Sequence, residues 1–213
     1  LATMTSSDNI TWSGTFTPTT GEEEQSNELS LATSYTDTAG NSGPSATTAN
    51  YEVDTLAPSV SSIVISSATG IQNNLLNAGD NVSVTVTFSE VVNKTGTPQL
   101  TLAVGDDNRT ATYASGTGNA PLVFTYTIQA GDNDIDGISI RANALALNSG
   151  MIRDAAGNNA TLTHNAVSGN ASYKVDTTAP TANYSAATDD VGTVQGALTS
   201  GNTTDDTALV LSG

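Results

Sequence analysis

The chain is predicted to be all-β, because its apolar residues alternate along short segments and turn-forming residues separate these segments. In NVSVTVTFSE (81–90) every second residue from Val82 to Phe88 is apolar, which is the pattern of an antiparallel strand with one buried face. TPQLTLAV and LVFTYTIQ repeat the alternation, and clusters such as NAGDN and SGTGN lie between the segments. No stretch keeps a helical period for three turns. About eight such strands in about 120 residues predict an immunoglobulin-like antiparallel β-sandwich with Greek-key topology.

Two motifs occur twice in the same order and divide the chain into tandem repeats. A D-x-A-G-N motif (37–41, 154–158) precedes an octet of the form Y-x-V-D-T-x-A-P (51–58, 173–180) each time. The predicted domains are the C-terminal part of an immunoglobulin-like repeat, one complete repeat and the N-terminal part of a further repeat, at residues 1–55, 56–177 and 178–213. Neighbouring repeats of the same chain are the expected partners, and self-association through the incomplete outer repeats is an open alternative.

The composition excludes several classes of partner. The 213 residues carry a net charge of -16, with 5 Lys and Arg against 21 Asp and Glu, so nucleic acid and anionic membrane surfaces are unfavourable partners. Cysteine is absent, which excludes disulfides and thiolate chemistry. No apolar run reaches membrane-spanning length, and direct membrane insertion is therefore not expected.

The sequence offers no catalytic constellation. His164 is the one histidine, and the chain contains neither G-x-S-x-G nor a glycine-rich phosphate loop. We therefore expect a solvated His164 and no enzymatic activity. Trp12 is expected in the core, because TWSGTFTP places Trp12 and Phe16 on one face of a predicted strand. The adjacent glutamates Glu22–Glu24 are expected to form a solvated acidic tip.

An acidic loop follows the third clear strand. GDNDIDGIS places Asp132, Asp134 and Asp136 at alternate positions before a glycine, which is how a calcium-binding loop of the D-x-D-x-D-G type begins. The twelfth position is Asn143 instead of Glu and no helices flank the loop, so it is not an EF-hand. Glu90, at the end of the 81–90 strand, is a candidate further ligand. The alternative is a solvated acidic turn.

The D-x-A-G-N motifs provide a second set of candidate ligands, for which a purely structural turn is the alternative. Asp154 and Asp176 belong to the closing strands of the complete repeat, and the next repeat supplies further aspartates. Carboxylates gathered at one junction repel each other, and Ca²⁺, which takes about 6–8 oxygen ligands, would remove that repulsion. The predicted ligands at this junction are Asp154, Asn158, Asp176, Asp189, Asp190, Asp205 and Asp206, and those at the preceding junction are Asp37, Asn41 and Asp54.

Taken together, the motifs resemble those of a known family. FSE after the alternating strand, PQLTLAVG, FTYTIQAGDNDIDGISI, IRDAAGN and YKVDTTAP are similar to the bacterial immunoglobulin-like repeats of large secreted surface adhesins, including biofilm-associated and RTX-type adhesins. The resemblance covers nearly the whole chain. It implies extender modules outside the cell with Ca²⁺ at or near the junctions between repeats, and it assigns this role to the junction residues given above.

The favoured function is a structural spacer, stiffened by Ca²⁺, that supports cell-surface adhesion or biofilm formation from an extracellular position. One alternative is a module that binds a glycan, a protein or ice, which would need an exposed aromatic residue or a flat threonine face. The other is a self-assembling subunit of a surface filament. The ligand at the adhesive tip is not specified by the sequence.

Overall fold

The computed structural model describes residues 4–183, 185–193 and 195–212. These residues form seventeen strands joined by turns and loops, and none of them lies in a helix. The structure divides into two units, residues 1–177 and 178–213. The predicted boundary between residues 55 and 56 falls inside the first unit.

Residues 4–55 form two small antiparallel ladders. β1 pairs with β4 and β2 pairs with β3, the four strands being β1 (Glu23–Asn27), β2 (Ser30–Leu31), β3 (Ala46–Thr47) and β4 (Tyr51–Asp54). Glu23 lies opposite Asp54 in the first ladder. The octet residues Tyr51–Asp54 therefore form a strand that ends at the aspartate.

Trp12 is 54% exposed, so the prediction that it lies in the core is wrong. The residues around it form no strand, only an isolated bridge between Thr5 and Ser13. Trp12 lines an open, mostly apolar groove of about 480 Å³ together with Met4 and Leu31. The alternating pattern identified an apolar face correctly, but the described residues supply no layer that covers it.

Residues 56–177 contain a seven-stranded antiparallel sheet in the order β12-β8-β9-β10-β7-β13, with β5 paired to β7 as well. The strands of this repeat are β5 (Val60–Thr69), β6 (Leu75–Leu76), β7 (Asn81–Thr95), β8 (Gln99–Val104), β9 (Asp107–Ser115), β10 (Asn119–Thr127), β11 (Asn133–Asp134), β12 (Leu145–Ala146), β13 (Met151–Arg153) and β14 (Lys174–Asp176). β7 is the longest strand, and it positions both ends of the repeat because β5, β10 and β13 all pair with it.

A second, three-stranded sheet closes the sandwich, with β14 antiparallel to β11 and parallel to β6. The apolar faces predicted from the alternation are confirmed, since their side chains are at most 8% exposed: Val82, Val84, Val86, Phe88, Leu100, Leu102, Val104, Leu122, Phe124, Tyr126 and Ile128. Leu76 and Val175 close the core from the second sheet. The prediction of an all-β, immunoglobulin-like sandwich is confirmed.

The described residues between 178 and 212 form one three-stranded antiparallel sheet. β15 (Ala186–Asp189) is its central strand, flanked by β16 (Gly196–Leu198) and β17 (Val210–Ser212). Asp189, the last residue of β15, is 4% exposed.

Candidate metal centre

Strand register brings Asp54 and Glu90 to the same end of the complete repeat. β5 begins at Val60, opposite Phe88 on β7, and the N–H of Ser89 donates to the carbonyl of Ser59 at 2.8 Å. The chain therefore enters the repeat beside residues 88–90, and the octet aspartate that precedes this entry lies close to Glu90.

Asp154 reaches the same point through β13. This strand runs antiparallel to the last part of β7, with Met151 opposite Thr95 and Arg153 opposite Asn93. The chain thus advances toward Glu90 as it leaves β13, and Asp154 is its next residue.

Asp54, Glu90 and Asp154 form the one group of at least three metal-ligating side chains found among the described residues. One carboxylate oxygen from each lies within 4.8 Å of those of the others. Asp154 is buried, and Asp54 and Glu90 are half-buried. The buried Oε1 of Glu90 accepts no hydrogen bond from the described residues, so this oxygen is shielded from solvent without a protein donor. The ion pairs formed by the described residues involve Arg109, not these carboxylates.

The D-x-A-G-N turn fixes the position of Asp154. Its Oδ1 accepts hydrogen bonds from the main-chain N–H groups of Gly157 at 2.6 Å and Asn158 at 2.8 Å. Its Oδ2 accepts one from the side-chain amide of Asn158 at 2.8 Å. Gly157 has a φ of +103°, a conformation that glycine adopts without strain. The motif therefore folds as a rigid turn that presents one carboxylate.

The surroundings of Glu90 oppose its ionisation. Burial raises the pKa of Glu90, and the negative charges of Asp154, Asp54 and Glu23 raise it further. Two carboxylates 4.8 Å apart repel by about 1 kcal/mol in water and about 3.5 kcal/mol at an effective dielectric constant of about 20. Glu23 was not expected here, since the sequence placed it in a solvated acidic tip. Residues 23–27 (EEQSN) show no apolar alternation that could have signalled this position, and Glu23 comes close to the group because it pairs opposite Asp54 in the β1–β4 ladder.

The second D-x-A-G-N turn, at residues 37–41, has the same internal geometry but a different position. Asp37 Oδ1 accepts the N–H of Asn41 at 2.9 Å, and Oδ2 accepts its side-chain amide at 2.9 Å. Hydrogen bonds, chiefly those from Asn41, hold the pKa of the exposed Asp37 below its usual range. Asp37 and Asn41 were predicted to share a site with Asp54. The structure groups Asp54 with Glu90 and Asp154 instead, because the 37–41 turn lies between β2 and β3 while Asp54 ends β4.

Asp132, in the acidic loop, is held by protein donors. The residue is 1% exposed, and its Oδ1 accepts from Arg109 Nε at 2.6 Å. Its Oδ2 accepts from the Tyr126 hydroxyl at 2.6 Å and from the N–H of Gln129 at 2.8 Å. Burial alone would raise the pKa of Asp132, but these hydrogen bonds outweigh it and hold the pKa below its usual range. Burial, followed by the bond to Asp132, raises the pKa of Tyr126 to about 12.

The carboxylate of Asp134 also accepts its hydrogen bonds from the protein, here from main-chain N–H groups. Its Oδ1 accepts the N–H of Gly137 at 2.7 Å and that of Asp136 at 3.2 Å, and its Oδ2 accepts the N–H of Gly105 at 2.8 Å. Asp136 is exposed. Within the described residues, these three aspartates form no group of carboxylates at metal-binding distance. The carboxylates of Asp132, Asp134 and Asp136 therefore do not converge on one point as expected. Those of Asp132 and Asp134 instead accept hydrogen bonds from main-chain N–H groups and from the Arg109 guanidinium.

Glu90 was predicted to complete this loop, and that prediction is wrong. The loop follows Thr127, which pairs with Asn81 at the start of β7. Glu90 lies about 30 Å further along the same strand.

Asp176 pairs with Asn133 in the acidic loop, so it lies at the same end of the repeat as that loop. The predicted grouping of Asp154 with Asp176 is wrong for the same reason, since the two residues lie at opposite ends of β7.

Of the four aspartates of residues 178–213, Asp189 ends β15, Asp190 follows it, and Asp205 and Asp206 lie in the loop before β17. Asp189 Oδ1 accepts the N–H of Val191 at 3.3 Å, and Asp206 Oδ2 accepts that of Asp190 at 3.0 Å. The carboxylate of Asp205 lies against Gly192. Within this unit, the described residues form no group of three carboxylates at metal-binding distance. The role of Asp189, Asp190, Asp205 and Asp206 stays a prediction.

His164 has a structural role, because both of its ring nitrogens contact the main chain. Its Nε2 accepts the N–H of Ala144 at 2.8 Å, and its Nδ1 lies 2.8 Å from the carbonyl oxygen of Asn165. Because Nε2 accepts, Nδ1 carries the proton and donates. His164 is thus a neutral, half-buried side chain bound to the main chain at both ring nitrogens, rather than the solvated histidine expected.

Comparison with known proteins identifies one match. Residues 1–53 match a family model described as a bacterial Ig-like domain, a stretch that contains Asp37 and Asn41 and stops one residue before Asp54. Domains of this description typically lie on the cell surface or outside the cell and are generally non-catalytic structural modules. No curated protein and no solved structure matches the chain significantly. The described part of the chain contains no helix that could span a lipid bilayer.

Proposed function

We propose that this chain is an extracellular extender module of a bacterial surface protein, stiffened by Ca²⁺ where residues 1–55 meet the complete repeat. The observation that carries the proposal is the Asp54–Glu90–Asp154 group, in which one buried carboxylate oxygen has no hydrogen-bond partner. A buried, unpaired polar atom is costly unless a ligand satisfies it. The match to a bacterial Ig-like domain supports the extracellular setting.

The donor set fits a hard divalent cation. It offers only oxygen atoms, with no cysteine or histidine in the group, and Ca²⁺ prefers carboxylate, carbonyl and water oxygens. The half-buried positions of Asp54 and Glu90 leave room for water to complete about 6–8 ligands. A cation would also cancel the repulsion among three carboxylates that have no basic partner.

The junction would be stiffened because cation binding is thermodynamically linked to the docking of the two segments. Asp54 belongs to the octet of the first segment, while Glu90 and Asp154 belong to the next repeat. A cation bound to all three favours the docked arrangement over the splayed or unfolded one, by about 0.4–1.4 kcal/mol when its concentration is about one to ten times Kd. Sites of extracellular modules have Kd values of about 10⁻⁴–10⁻³ M. Calcium outside the cell would therefore stiffen the junction, and a stiffer chain would hold an adhesive tip further from the surface during adhesion or biofilm formation.

The test is thermal unfolding of the whole chain in EDTA and in millimolar CaCl₂, with Mg²⁺ as the ionic control. We expect a calcium-specific rise in the melting temperature of the wild type, which Asp54→Asn removes. Asp106→Asn is the matched control, because Asp106 is an exposed aspartate outside the group. An equal calcium response in Asp54→Asn would place the ion elsewhere, and the absence of any response in the wild type would overturn calcium binding.

A further inference from the structure

The side-chain amide of Asn158 connects the last strand of the first segment to the turn of the complete repeat. Its Nδ2 lies 2.8 Å from Asp154 Oδ2, 3.2 Å from the carbonyl oxygen of Asp54 and 3.3 Å from Asp54 Oδ1. The contact joins residues 104 positions apart in sequence. Asn158 thus touches both aspartates of the candidate metal centre.

Both hydrogens of this amide have acceptors. An asparagine amide has two N–H donors, of which one points to Asp154 and the other is shared between the carbonyl and the carboxylate of Asp54, a three-centre arrangement. Hydrogen bonds to ionised acceptors are stronger than those between neutral groups. The amide therefore offsets part of the negative charge where Asp54 and Asp154 approach each other, and it does so without a cation.

The D-x-A-G-N turn at residues 37–41 shows that such a turn forms without a hydrogen bond from its asparagine side chain to any other described strand. Asn41 makes the same main-chain and side-chain bonds to Asp37, at 2.9 Å each. Among the described residues, its amide bonds only within that turn. The bonds from Asn158 to Asp54 are therefore additional to the common turn geometry, and they link two repeats.

We propose that Asn158 is a positioning residue that aligns Asp54 with Asp154 in the absence of any metal, so that the junction is already in register when a cation arrives. The proposal rests on the proposed function only for the cation step, since the amide contacts stand without it. Asn158 then acts as a hydrogen-bond donor to the carboxylates rather than as the cation ligand predicted from the sequence.

The test compares hydrogen exchange of the 51–58 segment in EDTA for the wild type and four variants of the whole chain. Asn158→Ala removes the amide, and Asn158→Asp keeps its shape but replaces the donor by a carboxylate. Asn41→Ala and Asn41→Asp are the matched controls in the other turn. We expect exchange in 51–58 to be about three- to tenfold faster in both Asn158 variants and unchanged in both Asn41 variants.

Two outcomes would overturn the proposal. One is wild-type exchange in Asn158→Asp, because a carboxylate of the same shape would then suffice and donation would be irrelevant. The other is equal loosening of 51–58 by Asn41→Ala, because a general loss of stability would then explain the effect. Adding CaCl₂ to the same samples separates the two proposals. A wild type that ignores calcium contradicts the metal centre, while the EDTA data still decide the role of Asn158.

Discussion

Replacing Glu90 by glutamine should stabilise the cation-free protein and weaken its response to calcium. In EDTA near neutral pH, the wild type keeps a half-buried carboxylate within 4.8 Å of two others, and its Oε1 has no donor. Glutamine removes the charge and brings an amide that can donate to Asp54 or Asp154. In calcium, the same change removes a charged ligand. The melting temperature in EDTA should therefore rise, while the increment that calcium adds should shrink.

The size of the effect follows from the repulsion in the group. Glu90 faces two carboxylates, each at a cost of about 1–3.5 kcal/mol before solvent screening. The two repulsions sum to about 2–7 kcal/mol, and because Glu90 and Asp54 are only half-buried, solvent and salt screening should reduce this to a gain of about 1–3 kcal/mol in EDTA. That corresponds to a rise in melting temperature of about 3–10 °C for a chain of this size. In calcium, a tenfold weaker Kd would cost about 1.4 kcal/mol of the ligand-induced stabilisation.

The assay is calorimetric unfolding of wild type and Glu90→Gln, each in EDTA and across a calcium titration. Glu24→Gln is the matched control, because Glu24 is an exposed glutamate in the same ladder and lies outside the group. The control should leave both the EDTA melting temperature and the calcium increment close to the wild type. The reasoning fails if Glu90→Gln lowers the melting temperature in EDTA, or if it keeps the full calcium increment.

Three further measurements follow from the structure. Because burial and the neighbouring carboxylates raise the pKa of Glu90 above its ordinary 4.5, the folded state holds that proton to higher pH than the unfolded chain. The wild type in EDTA should therefore lose stability relative to Glu90→Gln as the pH rises above about 4.5, and parallel pH profiles would contradict the assignment. Arg109→Leu should lower the free energy of unfolding by about 3 kcal/mol, equally in EDTA and in calcium, because it leaves the buried Asp132 charge unpaired. Adding Asp132→Asn should recover part of this loss. Urea unfolding measures both variants, and additive losses would count against a coupled pair. Trp12 fluorescence should be red-shifted and readily quenched by acrylamide, because the side chain is 54% exposed, and a blue-shifted, protected emission would mean that the apolar groove is covered.

The faces of the strands could be predicted from the sequence because side-chain alternation in a strand is a local property. Val82 to Phe88 alternate in the printed sequence and alternate in burial in the structure. What covers such a face is not local. Trp12 follows the same kind of pattern, yet it stays half-exposed because the residues around it form only a single bridge. An alternating pattern identifies an apolar face without identifying the layer that packs on it.

The acidic residues of the candidate group could be identified in the sequence, but their grouping could not be predicted. Asp54, Glu90 and Asp154 were all named as candidates, each with a different set of partners. Their meeting depends on register, namely Val60 opposite Phe88 and Arg153 opposite Asn93. Register between strands far apart in sequence is set by core packing and bulges, such as those between Val60 and Ser62 and between Ile65 and Ser67. A single sequence carries no direct record of it.

The buried carboxylates at the two ends of the complete repeat have different partners, and under the proposed function this difference predicts where the protein depends on calcium. At the end where β7 begins, Asp132 has a permanent cation, since the Arg109 guanidinium binds it at 2.6 Å. Near the other end, the hydrogen-bond donors that the described residues offer to Asp54 and Asp154 are neutral, namely main-chain N–H groups and the side-chain amide of Asn158. An amide can align carboxylates but cannot cancel their charge, whereas a guanidinium does both. Removing calcium should therefore loosen the junction at Asp54 while leaving the Asp132 loop in place, so hydrogen exchange in EDTA should rise in the 51–58 segment and stay unchanged in the 129–137 segment.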